Sequence, residues 1–220
     1  MSAPVRILQE GPNHRAWNMA EDEALLRLVQ DPLLRIYRWT EPALSIGYFG
    51  LHAEVPSGRP FVRRYTGGGL VDHQADFTYS LIVPRDHRLN TLGPQESYEE
   101  IHRSISAVLR KLGFCSDLAS ATSSVESSAC FEKAVRFDVV SGSAKLAGAA
   151  QRRTREGCLH QGSILVPKFD FAELSEEMIR HLLPLLGSEA IPSQLSSEER
   201  VRAETLERER YRTDAWNFSR

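Results

Sequence analysis

The stretch Phe61–Ser80, FVRRYTGGGLVDHQADFTYS, constrains this chain more than any other. Three successive glycines, Gly67, Gly68 and Gly69, stand between the Arg63-Arg64 pair and a β-prone run. Glycine permits positive φ and close approach of a backbone to a ligand or to another strand. The stretch therefore predicts a strand, a tight turn and a further strand, with the turn serving as a binding loop. Arginine donors and exposed backbone N–H groups there suit an anionic or carbonyl-bearing ligand. A tight turn flanked by surface arginines is the equally available plain reading. The loop is not a phosphate loop, because no GxxxxGK[ST] and no GxGxxG opening a helix is present.

The 220 residues suffice for one domain with its own core, and we expect a single unit over 1–220 with a helical C-terminal segment from about 170. A net charge of −2, from 27 basic and 29 acidic residues, provides no whole-molecule field for nucleic acid or a membrane surface. No apolar run approaches the roughly 20 residues of a membrane span. The opening MSAPVRILQEGPNH has no apolar segment of the signal-peptide kind, so a cytoplasmic protein is expected. Cys115, Cys130 and Cys158 are odd in number and lack metal-ligand spacing, which argues against a disulfide framework and a zinc site.

Val5–Gln9 reads as a strand, and Asn13 as the cap of a helix over Ala16–Val29, with Glu21, Asp22 and Glu23 suiting its N-terminal end. Leu34–Trp39, Ala43–Tyr48, Phe61–Arg64 and Phe77–Val83 read as strands of a mainly antiparallel sheet. Tyr98, Ile101, Ile105, Val108, Leu109 and Leu112 mark a second helix ended by Gly113. Leu118–Ser128 reads as a loop. Val135–Val140, Lys145–Gln151 and Leu159–Val166 then continue the sheet. One or two helices are expected over Phe171–Leu186, and a last one from Ser196 or Ser197 to about Tyr211.

Cys130, at a loop-to-strand junction, could expose a thiolate activated by a cation such as Lys145. Cys115 and Cys158 read as small buried hydrophobes. Lys145 is unusual in the small-residue strand KLAGAAQ unless its ammonium reaches a partner or ligand. His73 and His160 could each accept a proton, although a histidine beside a strand is more often a satisfied structural side chain.

Taken together, Arg63-Arg64-x-x-Gly67-Gly68-Gly69-x-x-x-His73, the Asp138 to Arg153 segment around Lys145, Gly148 and Ala150, and Gly162-Ser163-Ile164-Leu165 resemble the biotin/lipoate protein ligase and lipoyl/octanoyltransferase superfamily. AWNMAEDEALL, Leu44–Phe49, Ala129-Cys130-Phe131 and Asp214–Phe218 resemble most its LipM-type octanoyltransferases, in order along nearly the whole chain. The resemblance implies an α/β (α+β) fold with a mixed, largely antiparallel sheet flanked by helices, as in class II synthetase-like catalytic domains of these ligases. It implies Cys130 as the acyl-carrying nucleophile and Lys145 as the cation beside the acyl carbonyl. Arg63, Arg64, Gly67, Gly68, Gly69, His73, Asp138, Gly148, Ala150, Gly162 and Ser163 would line or shape an acyl or lipoate site. The implied reaction moves an octanoyl group from acyl carrier protein to a lysine of a lipoyl domain or of the glycine cleavage H protein, without a cofactor. Arg152, Arg153 and Arg155 are candidates for the basic patch that meets the acidic carrier. The runner-up is a lipoate-protein ligase using ATP and magnesium, toward which Gly69 leans; a non-catalytic acyl-binding protein is a third reading.

Overall fold

The computed structural model describes residues 3–120 and 134–220. Cys130, and the loop expected over Leu118–Ser128 beyond residue 120, lie outside the described residues. The chain runs β1 (Pro4–Asn13), α1 (Arg15–Leu28), β2 (Leu33–Trp39), β3 (Leu44–Ile46), a 3-10 turn (His52–Glu54), β4 (Phe61–Arg63), β5 (Val71–Asp72) and β6 (Phe77–Pro84). It continues through α2 (Arg88–Thr91), α3 (Pro94–Lys111), β7 (Asp117–Leu118), β8 (Val139–Ser141), β9 (Ala144–Arg153) and β10 (Gly157–Ile164). It closes with α4 (Phe171–Leu186), β11 (Glu189–Pro192), α5 (Ser197–Leu206), a π turn (Glu207–Tyr211) and α6 (Asp214–Asn217).

The large sheet has the order β11-β1-β2-β6-β10-β9-β8-β7, and a small one the order β4-β3-β5. Five neighbouring pairs of the large sheet, from β2–β6 to β7–β8, are antiparallel, while β11–β1 and β1–β2 are parallel. The sheet is thus mixed and largely antiparallel, as expected. Its parallel edge arises because α1 crosses over between β1 and β2, which a hairpin turn could not do.

Both faces of the large sheet are covered. On one, Phe77, Tyr79, Leu81 and Val83 of β6 pack with Ile101, Ile105, Val108 and Leu109 of α3 and Leu174, Met178 and Leu182 of α4. On the other, α1 lies between the sheet and α5, with Met19, Ala20 and Ala24 packed near Tyr37, Ala203 and Tyr211. A strand buried on both sides loses the apolar and polar alternation of a half-exposed one, and β6 is buried from Phe77 to Val83.

Several local expectations are corrected. Asn13 ends β1, and α1 is capped by His14, whose Nδ1 accepts from Ala16 N at 3.2 Å. Glu21, Asp22 and Glu23 lie beyond the first turn, where the helix dipole no longer matters much, and all three are buried. They serve as ion-pair partners: Arg35 of β2 reaches Glu21 and Asp22, and Arg210 reaches Glu23. The strand expected from Val135 begins only at Val139, since Phe137 takes φ 72° and breaks the extended run. Ala43–Tyr48 narrows to Leu44–Ile46. Cys115 is exposed, whereas Cys158 is buried, which pushes its thiol up to about 11.

Candidate active site

The glycine loop is built by close backbone approach. Gly68 has φ 83°, open to glycine at little cost, and a Cβ placed on Gly47 would lie 1.9 Å from Gly68 O. Arg64 closes the loop: its Nη1 donates to Ser45 O at 2.9 Å, and its Nη2 donates to Gly67 O at 2.7 Å and Gly69 O at 2.8 Å. Arg63 turns the other way. Its Nη1 donates to Gly50 O at 2.7 Å and Nη2 to Asn217 O at 3.0 Å, which ties β4 to the C-terminal α6.

Between this loop and the sheet lies a narrow cavity of about 50 Å³ that opens to solvent. Lys145, Arg64, His73, Gly148, Ala150, Gly162 and Ser163 line it, so these sequence-predicted residues converge. Arg63, Gly67, Gly68, Gly69 and Asp138 do not line it. Asp138 instead stands behind Lys145: Lys145 Nζ is 2.8 Å from Asp138 Oδ2, while Tyr98 Oη donates to Asp138 Oδ1 at 2.5 Å. Gly148 is what gives the lysine its room, since a Cβ there would lie 2.3 Å from Lys145 Cε and 2.5 Å from Nζ.

Sequence reasoning missed the cavity's polar floor. Gln161 lines the cavity, donating to Asp22 Oδ2 at 2.6 Å and accepting from Thr66 Oγ1 at 2.6 Å. Asp22 also accepts from Ser80 Oγ at 2.7 Å and Arg35 Nη1 at 2.8 Å. Arg35, wholly buried, pairs in addition with Glu10 and Glu21. Burial pushes Glu21 up to about 8, the Glu10 carboxylate adding to the effect and Arg35 opposing it. The available signal was the arginine of the apolar strand LLRIYRW, which needs buried carboxylates. Ser45, Tyr37, Thr78 and Met19, also missed, complete the lining with Val71 and Ala149.

His160 does not reach the cavity. Successive residues of a strand face opposite sides, so Gln161 faces the cavity and His160 stands by His102, with ring centroids 5.5 Å apart. Burial holds His160 well below the ordinary imidazole range and takes His102 down to about 3. The three arginines expected to form one patch are also separated. Arg153 Nη1 donates to Asn90 O at 2.7 Å and Leu92 O at 2.8 Å, Arg152 lies over the rings of Tyr48 and Tyr65, and Arg155 pairs with Glu156.

A narrow cavity with glycine, alanine, valine and methionine along part of its wall, polar side chains along the rest and an ammonium on one side can hold a slender chain and place its carbonyl oxygen by a cation. The fold and this site define an α/β domain built around a small ligand cavity. Residues 14–183 match the lipoyl protein ligase A/B catalytic domain, and the chain belongs to that family. An octanoyltransferase LipM of Kyrpidia tusciae is 33% identical, over 97% of this chain and 98% of its own length. One from Geobacillus kaustophilus is 30% identical, over 98% of each chain. Among solved structures, a lipoate-protein ligase A bound with ATP superposes with a TM-score of 0.81 at 22% identity, covering 99% of both chains. The bipartite lipoate protein ligase of Thermoplasma acidophilum gives 0.79 at 22% identity, covering 99% of this chain and 96% of its own. These likenesses between structures establish the shared fold.

Proposed function

We propose that this chain is an acyltransferase of protein lipoylation that carries an octanoyl group from acyl carrier protein to a lysine of a lipoyl domain or of the glycine cleavage H protein. The observation that carries the reading is the match, over nearly the whole of both chains, to relatives named octanoyltransferase LipM. The cavity supports it, since Lys145 lines a space suited to a slender acyl chain.

In this reading Cys130 attacks the carrier's thioester carbonyl, the carrier thiol leaves, and the acyl-cysteine then passes its acyl group to the acceptor amine. Lys145 stands where negative charge gathers on the carbonyl oxygen. Asp138 and Tyr98 hold the lysine's position, Gly148 leaves it space, and Gln161 braces the floor. The domain runs as one catalytic unit over 1–220 and works in the cytoplasm without a cofactor; no described helix is long and apolar enough to cross a membrane.

Incubation with octanoyl-carrier protein, followed by intact mass, tests this directly. An octanoyl adduct is expected on the wild-type protein and none on Cys130→Ala. An adduct unchanged by that substitution removes Cys130 from the role. Acceptor modification by free lipoate with ATP and magnesium, and none from octanoyl-carrier protein, would replace the reading with a ligase.

A further inference from the structure

His73 and Asp76 take no part in the chemistry given to Cys130 and Lys145, yet they form a connected chain of hydrogen bonds with Ser45. Ser45 Oγ is 2.7 Å from His73 Nε2, and His73 Nδ1 is 2.7 Å from Asp76 Oδ2. Ser45 and His73 line the acyl cavity, and the Asp76 side chain is wholly buried.

The direction of each bond is fixed from its ends. Arg64 can only donate, and its Nη1 lies 3.0 Å from Ser45 Oγ. The Ser45 hydroxyl accepts from Arg64 through one lone pair, and toward a neutral His73 with its proton on Nδ1 it donates its own proton to Nε2. At the other end an Asp76 carboxylate can only accept, so His73 Nδ1 carries the ring proton. Thr78 Oγ1, itself accepting from Trp39 Nε1 at 2.8 Å, donates to Asp76 Oδ2 at 3.0 Å, and Ser163 Oγ donates at 2.5 Å. The imidazole also stacks on Trp39, with ring centroids 4.0 Å apart. His73 is thus held as the tautomer with a free lone pair on the serine side, the arrangement a general base needs to activate a hydroxyl.

We infer that Ser45, His73 and Asp76 form a second nucleophilic centre in this cavity, which hydrolyses medium-chain acyl thioesters to the free acid. The inference rests on the reading that the cavity accepts an acyl thioester. Ser45 Oγ adds to the carbonyl carbon as its proton passes to His73 Nε2, which the Asp76 carboxylate steadies as the imidazole becomes charged. Collapse breaks the carbon–sulfur bond, and the departing thiolate takes the proton from His73. Water then adds to the acyl-serine with His73 again the base. The carbon–oxygen bond to Ser45 breaks, its oxygen regains the proton, and one thioester and one water have become one carboxylic acid and one thiol.

The test uses the whole chain without an acceptor protein. Octanoyl-coenzyme A serves as the thioester, with thiol release followed by a thiol-reactive dye. A fluorophosphonate with an alkyl chain, which a base-activated serine displaces from fluoride, serves as the label. Hydrolysis is expected to persist in Cys130→Ala, to fall at least about 100-fold in Ser45→Ala, and to fall in Asp76→Asn, whose amide reverses the tautomer of His73. Peptide mass should place the phosphonate on Ser45 of the wild-type protein. Absence of that adduct from the folded wild-type protein overturns the inference, as does hydrolysis unchanged in Ser45→Ala. Octanoyl transfer without Ser45 labelling removes this inference alone; Ser45 labelling and hydrolysis without any transfer remove the proposed function alone.

Discussion

Lys145 Nζ sits 2.8 Å from Asp138 Oδ2, with the lysine side chain nearly buried and the aspartate wholly so. A buried ion pair is costly to break from one side, because the remaining charge stays out of water without its partner. Asp138→Asn is therefore expected to lower unfolding free energy by roughly 3–5 kcal/mol, read from the urea midpoint. Lys145→Ala should cut octanoyl transfer at least about 100-fold, the scale of losing one donor to a developing oxyanion. Transfer by Lys145→Ala at the wild-type rate would remove that role from the lysine.

Gly148→Ala separates position from charge. The added methyl would meet the Lys145 side chain at 2.3–2.5 Å, and the far end of a lysine can swing away without disturbing the sheet. Transfer should fall sharply, and the thermal midpoint should fall with it, because the swing takes Nζ from the buried Asp138 carboxylate. Gly47→Ala meets a backbone oxygen instead, at 1.9 Å, and should destabilise the protein by about 1–3 kcal/mol, as overpacking does. Comparing both variants by calorimetry and by turnover checks the contrast.

The buried acidic cluster predicts a pH effect of known sign. Burial raises Glu21 from an ordinary 4.5 to about 8, so the folded state binds its proton more tightly than the unfolded state does. That contribution is fully present below about pH 4.5 and is lost as pH rises through about 8. Glu21→Gln, neutral throughout, should lack this loss. The thermal midpoint of the wild type should thus fall relative to Glu21→Gln across that window, and parallel curves would show that Glu21 stays ionised.

The long strands and α3 were legible in local pattern, whereas the convergence of Lys145, Gly148, Gly162 and Ser163 was legible only through the resemblance to the lipoate ligase superfamily. The role of the arginine pair was only half legible. Adjacent positions in a strand face opposite ways, and only the tertiary structure shows that Arg64 closes the loop while Arg63 holds α6. The acidic triplet, read as a complement to the helix N-terminus, misled for a related reason: its partners Arg35, Tyr37 and Tyr211 arrive from distant segments. The short strand β11 could not be read from SEAIPSQ, since its pairing with β1 spans most of the chain.

Arg63 carries the last prediction, because it joins the loop to the C-terminus through both backbone and side chain. Its N–H donates to Asn217 Oδ1 at 2.9 Å, and its carbonyl accepts from Trp216 Nε1 at 2.8 Å. Its guanidinium donates to Gly47 O at 3.1 Å, Gly50 O at 2.7 Å and Asn217 O at 3.0 Å. Lysine cannot reproduce that fan of planar donors. Arg63→Lys should therefore cost about 1–3 kcal/mol for each buried carbonyl left without a donor, softened where water reaches it. Asn217→Ala removes the other side of the clasp. Because the two residues share partners, their double variant should cost less than the two single effects together. Urea unfolding of the four proteins gives the cycle, and strict additivity would show that β4 and α6 are held independently.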